Sequence, residues 1–475
     1  MTRAAALFFR LPSWTMPAVV PRSVSPDPCP DLSPDALLVP LAPYEAYAAD
    51  LGRLGGCAPL GPADDAWLLL AHALARAATL PRAERAPVCV GGARTALASL
   101  PTGTPDGVDD RARVATAAEA ADALLALAAG LTACGPTTDA TTMRAPVAAL
   151  QAMIAQQEQA GAFFLAFSTL ATVRQAFRPL LDARTRGLLL AQQGRVARQL
   201  GALAAAAALY RAANRAARTA DAPDVAANAC LGAGVLASMR GNYPDARIYF
   251  RRALRYATRA GSAFHERASH HGLLHAAFAA NDIDTALAHG WAALRGLPDD
   301  ASDERAEALL NLGEVGRQAQ EYRAALGACL RALELTSLPR LRLPALGTAA
   351  RAAAALGERR LLDFLARDIE HQVAHSGQPW ENARALVEFA EAFDGIRNDL
   401  ALQYAARAHT LSVAGAFHEV TARAEAVISA RDLTPAGGTG ADAAGLRRRS
   451  PRARAVLRSL EALSPPHRDE ELATC

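Results

Sequence analysis

A chain of 475 residues can bury an extensive core, and with 51% hydrophobic but only 5% aromatic residues the surplus is alanine, which favours helix over sheet. The formal charge of +3 is too small to imply a nucleic-acid or membrane partner for the molecule as a whole. All 50 basic residues are arginine, which argues against phosphate-loop, Schiff-base and kinase chemistry, because each depends on a lysine ammonium.

In chain order, the opening "MTRAAALFFRLPSW" has an apolar run broken by Arg10 and too short to span a membrane, and Met16 is an alternative start. Residues 1–60 form a proline-rich, largely irregular leader. Residues 61–146 form a small helical region. One helix is framed by Pro62, Asp64 and Asp65 at its start and Pro81 beyond its end, and a second ends at Gly130. Between them "VCVGGARTALASLPTGTPDG" reads either as a turn or as a turn into a helix. The seven cysteines are scattered without a CxxC pair, so neither a zinc site nor a disulfide framework is expected and a reducing, cytoplasmic compartment is.

From residue 147 a repeat emerges. In "RGNYPDARIYFRRALRYATRAG", Gly241 and Tyr243 mark a turn, while Ala246, Phe250 and Ala253 share one helical stripe. The pattern recurs 40 residues upstream at Gly201, Leu203, Ala206, Tyr210 and Ala213, and again at Gly161, Phe163, Ala166, Leu170 and Val173. Downstream copies contain Ile283, Ala286 and Ala293, then Tyr322, Ala325 and Ala332, with weaker ones near 357–369 and 401–408. A small residue seven positions before the turn (Gly194, Gly234, Gly313) lets the second helix of each pair approach the first.

This pattern resembles the tetratricopeptide repeat, in a long-period variety similar to the helical regions of maltose-regulator-type activators and peptide-sensing response-regulator phosphatases. The resemblance implies an all-α, right-handed solenoid of about seven helical hairpins over 147–431. It also implies that the first helices line a concave binding face. Carried over by position, that face holds Gln192, Arg195, Arg198, Gln199 and Asn228, then His271, His275 and Phe278. It continues through Glu307, Asn311, Glu314 and Arg317 to Thr348 and Arg351. The family's lysine-dependent carboxylate clamp is unmatched. The arginines of the first half favour an acidic segment, and the histidines are expected to add charge as pH falls toward about 6.5.

His271 and His275 are spaced as zinc ligands often are, but HExxH fails at Ser269 and no further ligand stands at matching spacing, so no metal is assigned. No catalytic motif and no cofactor motif is present. After Arg431 a Gly- and Ala-rich linker leads to an arginine-rich end; 432–475 reads as a flexible linker and mobile basic tail, with docking as a capping helix the alternative, and nucleic acid is not expected as a partner beyond the basic stretch 447–458. The function this supports is a non-enzymatic scaffold or adaptor binding a protein or peptide, with a signal-responsive regulator as the alternative. No membrane partner is expected.

Overall fold

The computed structural model describes residues 63–103, 107–133, 141–376, 378–415, 417–429 and 449–463. The leader and the linker at 432–448 lie outside them. The chain divides into two compact units, one through His265 and one from Glu266.

In the first unit, α1 (Asp64–Thr79), α2 (Arg82–Ser99) and α3 (Val108–Thr132) pack in sequence, and α1 rests on the first hairpin. The ambiguous stretch at 88–107 is helical as far as Ser99, because Cys89, Ala93 and Ala96 give α2 an apolar stripe that is fully buried. Among the described residues α3 alone is long and apolar enough to cross a membrane; Leu124, Leu127 and Leu131 are spent on the core. Three hairpins follow: α4 (Arg144–Gln159) with α5 (Phe163–Ala176), α6 (Ala183–Gln199) with α7 (Leu203–Thr219), and α8 (Pro223–Met239) with α9 (Tyr243–Ala260).

The division between units falls in the first turn of α10 (Ala263–Ala279), which with α11 (Ile283–Arg295) opens the second unit. Then come α12 (Ser302–Gln318) with α13 (Tyr322–Leu335), α14 (Pro339–Leu356) with α15 (Arg359–His375), and α16 (Pro379–Phe393) with α17 (Asn398–Ala414). A lone helix, α18 (His418–Ser429), takes the place of an eighth first helix against α16 and α17. No strand occurs among the described residues. The protein is an all-α, tetratricopeptide-like array of helical hairpins.

Each of the seven hairpins turns through one residue with a left-handed backbone: Gly161, Gly201, Gly241, Asn281, Gln320, Gly357 and Gly395. At Gly241 the reversal is closed by amide bonds from Gly241 to the Ser238 carbonyl and from Asn242 to the Ala237 carbonyl, both 2.9 Å. Glycine meets no Cβ penalty in that conformation, which is why the turn is visible in sequence where glycine occupies it. The expected stripes are buried in every strong copy, with Ala206, Ala213, Ala246 and Ala253 at 0% exposure. The small positions also behave as the register requires. A Cβ on Gly194 would meet the Tyr210 ring, one on Gly234 the Phe250 ring, and one on Gly313 the Cys329 sulfur, all below 3.0 Å.

Residues 451–461 correct the expectation of a mobile tail. They form α19 (Pro451–Glu461), which packs against α11 and α13 and buries Ala453, Val456, Leu457 and Leu460. Ser450 caps the helix through its Oγ, and its own amide donates to Asp284 Oδ2 at 2.7 Å. The arginines that dominate the tail's sequence lie between those apolar positions, so the segment is amphipathic and its buried face holds it in place.

Candidate functional site

First helices pack side by side in succession, α6 on α8 in the first unit and α12, α14, α16 and α18 in the second, so within each unit side chains from equivalent turns share a surface. In the second unit they enclose an open cavity of about 410 Å³. Its walls carry four arginines, Arg317, Arg351, Arg384 and Arg423, and four glutamates, Glu314, Glu388, Glu391 and Glu419. Phe278, Trp380 and Val420 supply apolar surface.

Arg384 is ion-paired to Glu314, and its Nε lies 3.5 Å from Glu388 Oε1. Burial alone would weaken its charge, but the Glu314 and Glu388 carboxylates more than offset this and hold Arg384 firmly protonated. Arg423 grips Glu391 with two 2.9 Å bonds, Nε to Oε1 and Nη2 to Oε2, and Arg351 pairs with the same carboxylate. For Arg351 burial is the largest influence and lowers its pKa, opposed by Glu388 and reinforced by Arg317 and Arg423.

The network is incompletely satisfied. Glu388 is 3% exposed, and its Oε2 has no hydrogen-bond partner among the described residues; the same holds for Arg317 Nε, Trp380 Nε1 and Thr348 Oγ1. Glu388 reaches this position because Gly347 on α14 lacks a side chain, whose Cβ would stand 2.6 Å from Oε2. A buried carboxylate oxygen without a donor costs free energy that a bound donor would recover.

Of the residues expected from the sequence, Phe278, Glu314, Arg317 and Arg351 line this cavity, with Thr348 buried. Trp380, Arg384, Glu388, Glu391, Glu419, Val420 and Arg423 were missed. Glu314 and Arg317 stand six and three residues before their turn, whereas Glu388 and Glu391 stand seven and four before Gly395, a one-residue shift that a fixed period does not follow. The usable signal was Arg384, Glu388 and Glu391 at i, i+4 and i+7 on one helix face.

The remaining expected residues are differently engaged. His271 Nε2 lies 2.8 Å from Asn311 Nδ2 and 3.2 Å from His275 Nε2, so His271 bonds to both of them. Burial pushes His271 down to about 4, and burial together with its neighbour holds His275 well below the usual histidine value. Both imidazoles therefore stay neutral at pH 6.5, which overturns the expectation that they gain charge there. Glu307 is half-buried on α12, and burial pushes its carboxyl up to about 7.

In the first unit Arg195 is held by Glu158, Nε to Oε2 at 2.9 Å and Nη2 to Oε1 at 2.7 Å, and Gln192 Nε2 donates to the same carboxylate at 3.2 Å. Arg195 is thus neutralised from within, by an acid on α4. Arg198 Nη1 approaches Met239 Sδ at 3.8 Å, Asn228 is half-buried on α8, and Gln199 is exposed.

No family model matches the chain, and no curated protein sequence does. Solved structures resemble it, two Rap proteins among them. A Rap protein complexed with competence and sporulation factor aligns over 80% of this chain and 100% of its own, at 12% identity and a TM-score of 0.43. The apo form of RapI aligns over 78% and 97%, also at 12% identity and a TM-score of 0.43. At that distance neither protein's site residues are carried over. Among the described residues no three His, Cys, Asp or Glu side chains gather as a metal site.

Proposed function

We propose that this protein is a non-enzymatic, cytoplasmic peptide-binding adaptor or regulator, and that the Arg–Glu cavity of the second unit receives the peptide. The observation that carries the reading is Glu388 Oε2, a buried carboxylate oxygen on the wall of an open cavity with no donor among the described residues. A peptide supplies what these atoms lack. An amide or cationic side chain donates to Glu388, a carbonyl or carboxylate accepts from Arg317 Nε, and an apolar side chain covers Phe278, Trp380 and Val420. With four guanidinium groups facing four carboxylates, the cavity favours a segment bearing both charges over the purely acidic one suggested by the arginines of α6.

The test is affinity selection of a synthetic peptide library on the full-length protein, followed by titration of the enriched peptides against wild type, Glu388→Gln and Arg317→Met. Enriched peptides should bind each variant at least about tenfold more weakly while circular dichroism stays unchanged. No enrichment, or equal binding by folded variants, removes the cavity as a peptide site.

A further inference from the structure

The second helices of the last two hairpins in the first unit carry a concentration of arginine that the whole-chain charge conceals. On α7, Arg211, Arg215 and Arg218 are exposed; on α9, Arg251, Arg252, Arg255 and Arg259 are exposed. Arg211 and Arg251 are 40 residues apart, as are Arg215 and Arg255, so these pairs hold equivalent places in successive hairpins. Helix α7 has no acidic residue, and the only one on α9 is Asp245 in its first turn. Of the seven arginines, Arg259 alone has an ion-pair partner among the described residues, the exposed Asp221 at 2.7 Å.

Both helices pack on α8, and the 40-residue equivalence of the two rows puts them at matching places on successive second helices. Asn214 of α7 lies within hydrogen-bonding reach of Cys230 on α8, Nδ2 to Sγ at 3.6 Å. Burial raises the pKa of that thiol, while Arg252 and Arg255 of α9 are near enough to work against the rise. The i, i+4 spacing within each row advances about 6 Å per step along its helix.

We propose that this double row of arginines is a sequence-independent binding surface for the phosphate backbone of a nucleic acid. The chemistry of the face selects among polyanions. Guanidinium groups bind phosphate oxygens bidentately, and binding by several of them to a regularly charged strand needs no apolar contact. A stable protein interface needs a cluster of buried anchors, and insertion into a membrane surface needs an apolar face. Ile248, 46% exposed, is the one large apolar side chain exposed on either helix. The overall charge argued against nucleic acid for the molecule as a whole, but the local field of a single-sign face is not set by the sum over the chain.

The experiment measures binding of the full-length protein to fluorescently labelled duplex DNA and single-stranded RNA by anisotropy across a salt series. The test variant is Arg211→Glu/Arg215→Glu/Arg251→Glu/Arg255→Glu. Its control is Arg359→Glu/Arg360→Glu, which reverses exposed charges on α15 of the other unit. Wild type should bind at least one of the two nucleic acids at about 50 mM salt, and the variant should lose about 100-fold or more while the control changes little. For duplex DNA the salt slope should fall by about 0.9 for each phosphate that is no longer neutralised. The four positions are exposed, so melting curves should be preserved. If the reversal impairs folding, the same positions changed to Gln carry the test. The proposal is overturned if wild type binds neither nucleic acid, if folded variant and control bind alike, or if phosphatidylserine vesicles or polyglutamate depend on these arginines more strongly than either nucleic acid does.

Discussion

Replacing Gly234 by Ala sets two effects of opposite sign against each other, and the structure decides between them. In the middle of α8, alanine is favoured over glycine by about 1 kcal/mol through backbone entropy. The added Cβ would fall 2.6, 2.7 and 2.9 Å from three ring carbons of Phe250. That ring is 1% exposed on a helix stripe it shares with Ala246 and Ala253, so it has no free direction in which to yield. Overpacking of this kind costs typically about 1–3 kcal/mol and exceeds the propensity gain. The expected net effect is a destabilisation of about 1–2 kcal/mol. Gly91, also inside a helix, is the control: a Cβ there meets nothing within 4 Å, so Gly91→Ala should stabilise by about 0.5–1 kcal/mol. The assay is urea denaturation followed by circular dichroism, with hydrogen exchange to localise the change, because two units need not unfold in one step. Gly234→Ala should speed exchange in α8 and α9, and adding Phe250→Leu should recover part of the loss through a non-additive coupling. If Gly234→Ala proves as stabilising as Gly91→Ala, the close approach of the two helices is not what this position requires.

Two further outcomes follow from buried groups. The folded-state pKa of Glu307, raised chiefly by burial from 4.5 to about 7, makes folding less favourable as pH rises through that interval, since the unfolded chain ionises first. Glu307→Gln should therefore leave stability unchanged near pH 4 and raise it by roughly 1–3 kcal/mol above pH 7, and a gain of equal size at both pH values would show that ionisation is not involved. Leu457 and Leu460 anchor α19 on the second unit, so Leu457→Ala/Leu460→Ala should cost at least about 2 kcal/mol and free α19 amides to exchange. An unchanged melting curve with unchanged exchange would mean that α19 does not hold its place through that apolar face.

The hairpin array was legible because its determinants are local. A left-handed turn favours glycine, an alanine–aromatic–alanine stripe sets the second helix, and a small residue opposite the ring sets the approach of the first. Even where Asn281 and Gln320 replace the turn glycine, the period persists because flanking stripes such as Ala325, Cys329 and Ala332 keep their spacing. Part of the cavity was legible for the same reason, since Phe278, Glu314, Arg317 and Arg351 obey the period.

What the tertiary structure alone decided is which charges meet, because the partners lie far apart in the chain. Arg195 meets Glu158 across 37 residues and is neutralised; Arg384 meets Glu314 across 70 and becomes the centre of a network. His271 meets Asn311 across 40, and burial keeps its imidazole neutral. The docking of α19, which bridges 166 residues from Ser450 to Asp284, was hidden in a tail whose composition is basic. Composition reports charge, but an amphipathic helix stays where its apolar side is covered, and only the fold supplies the surface that covers it.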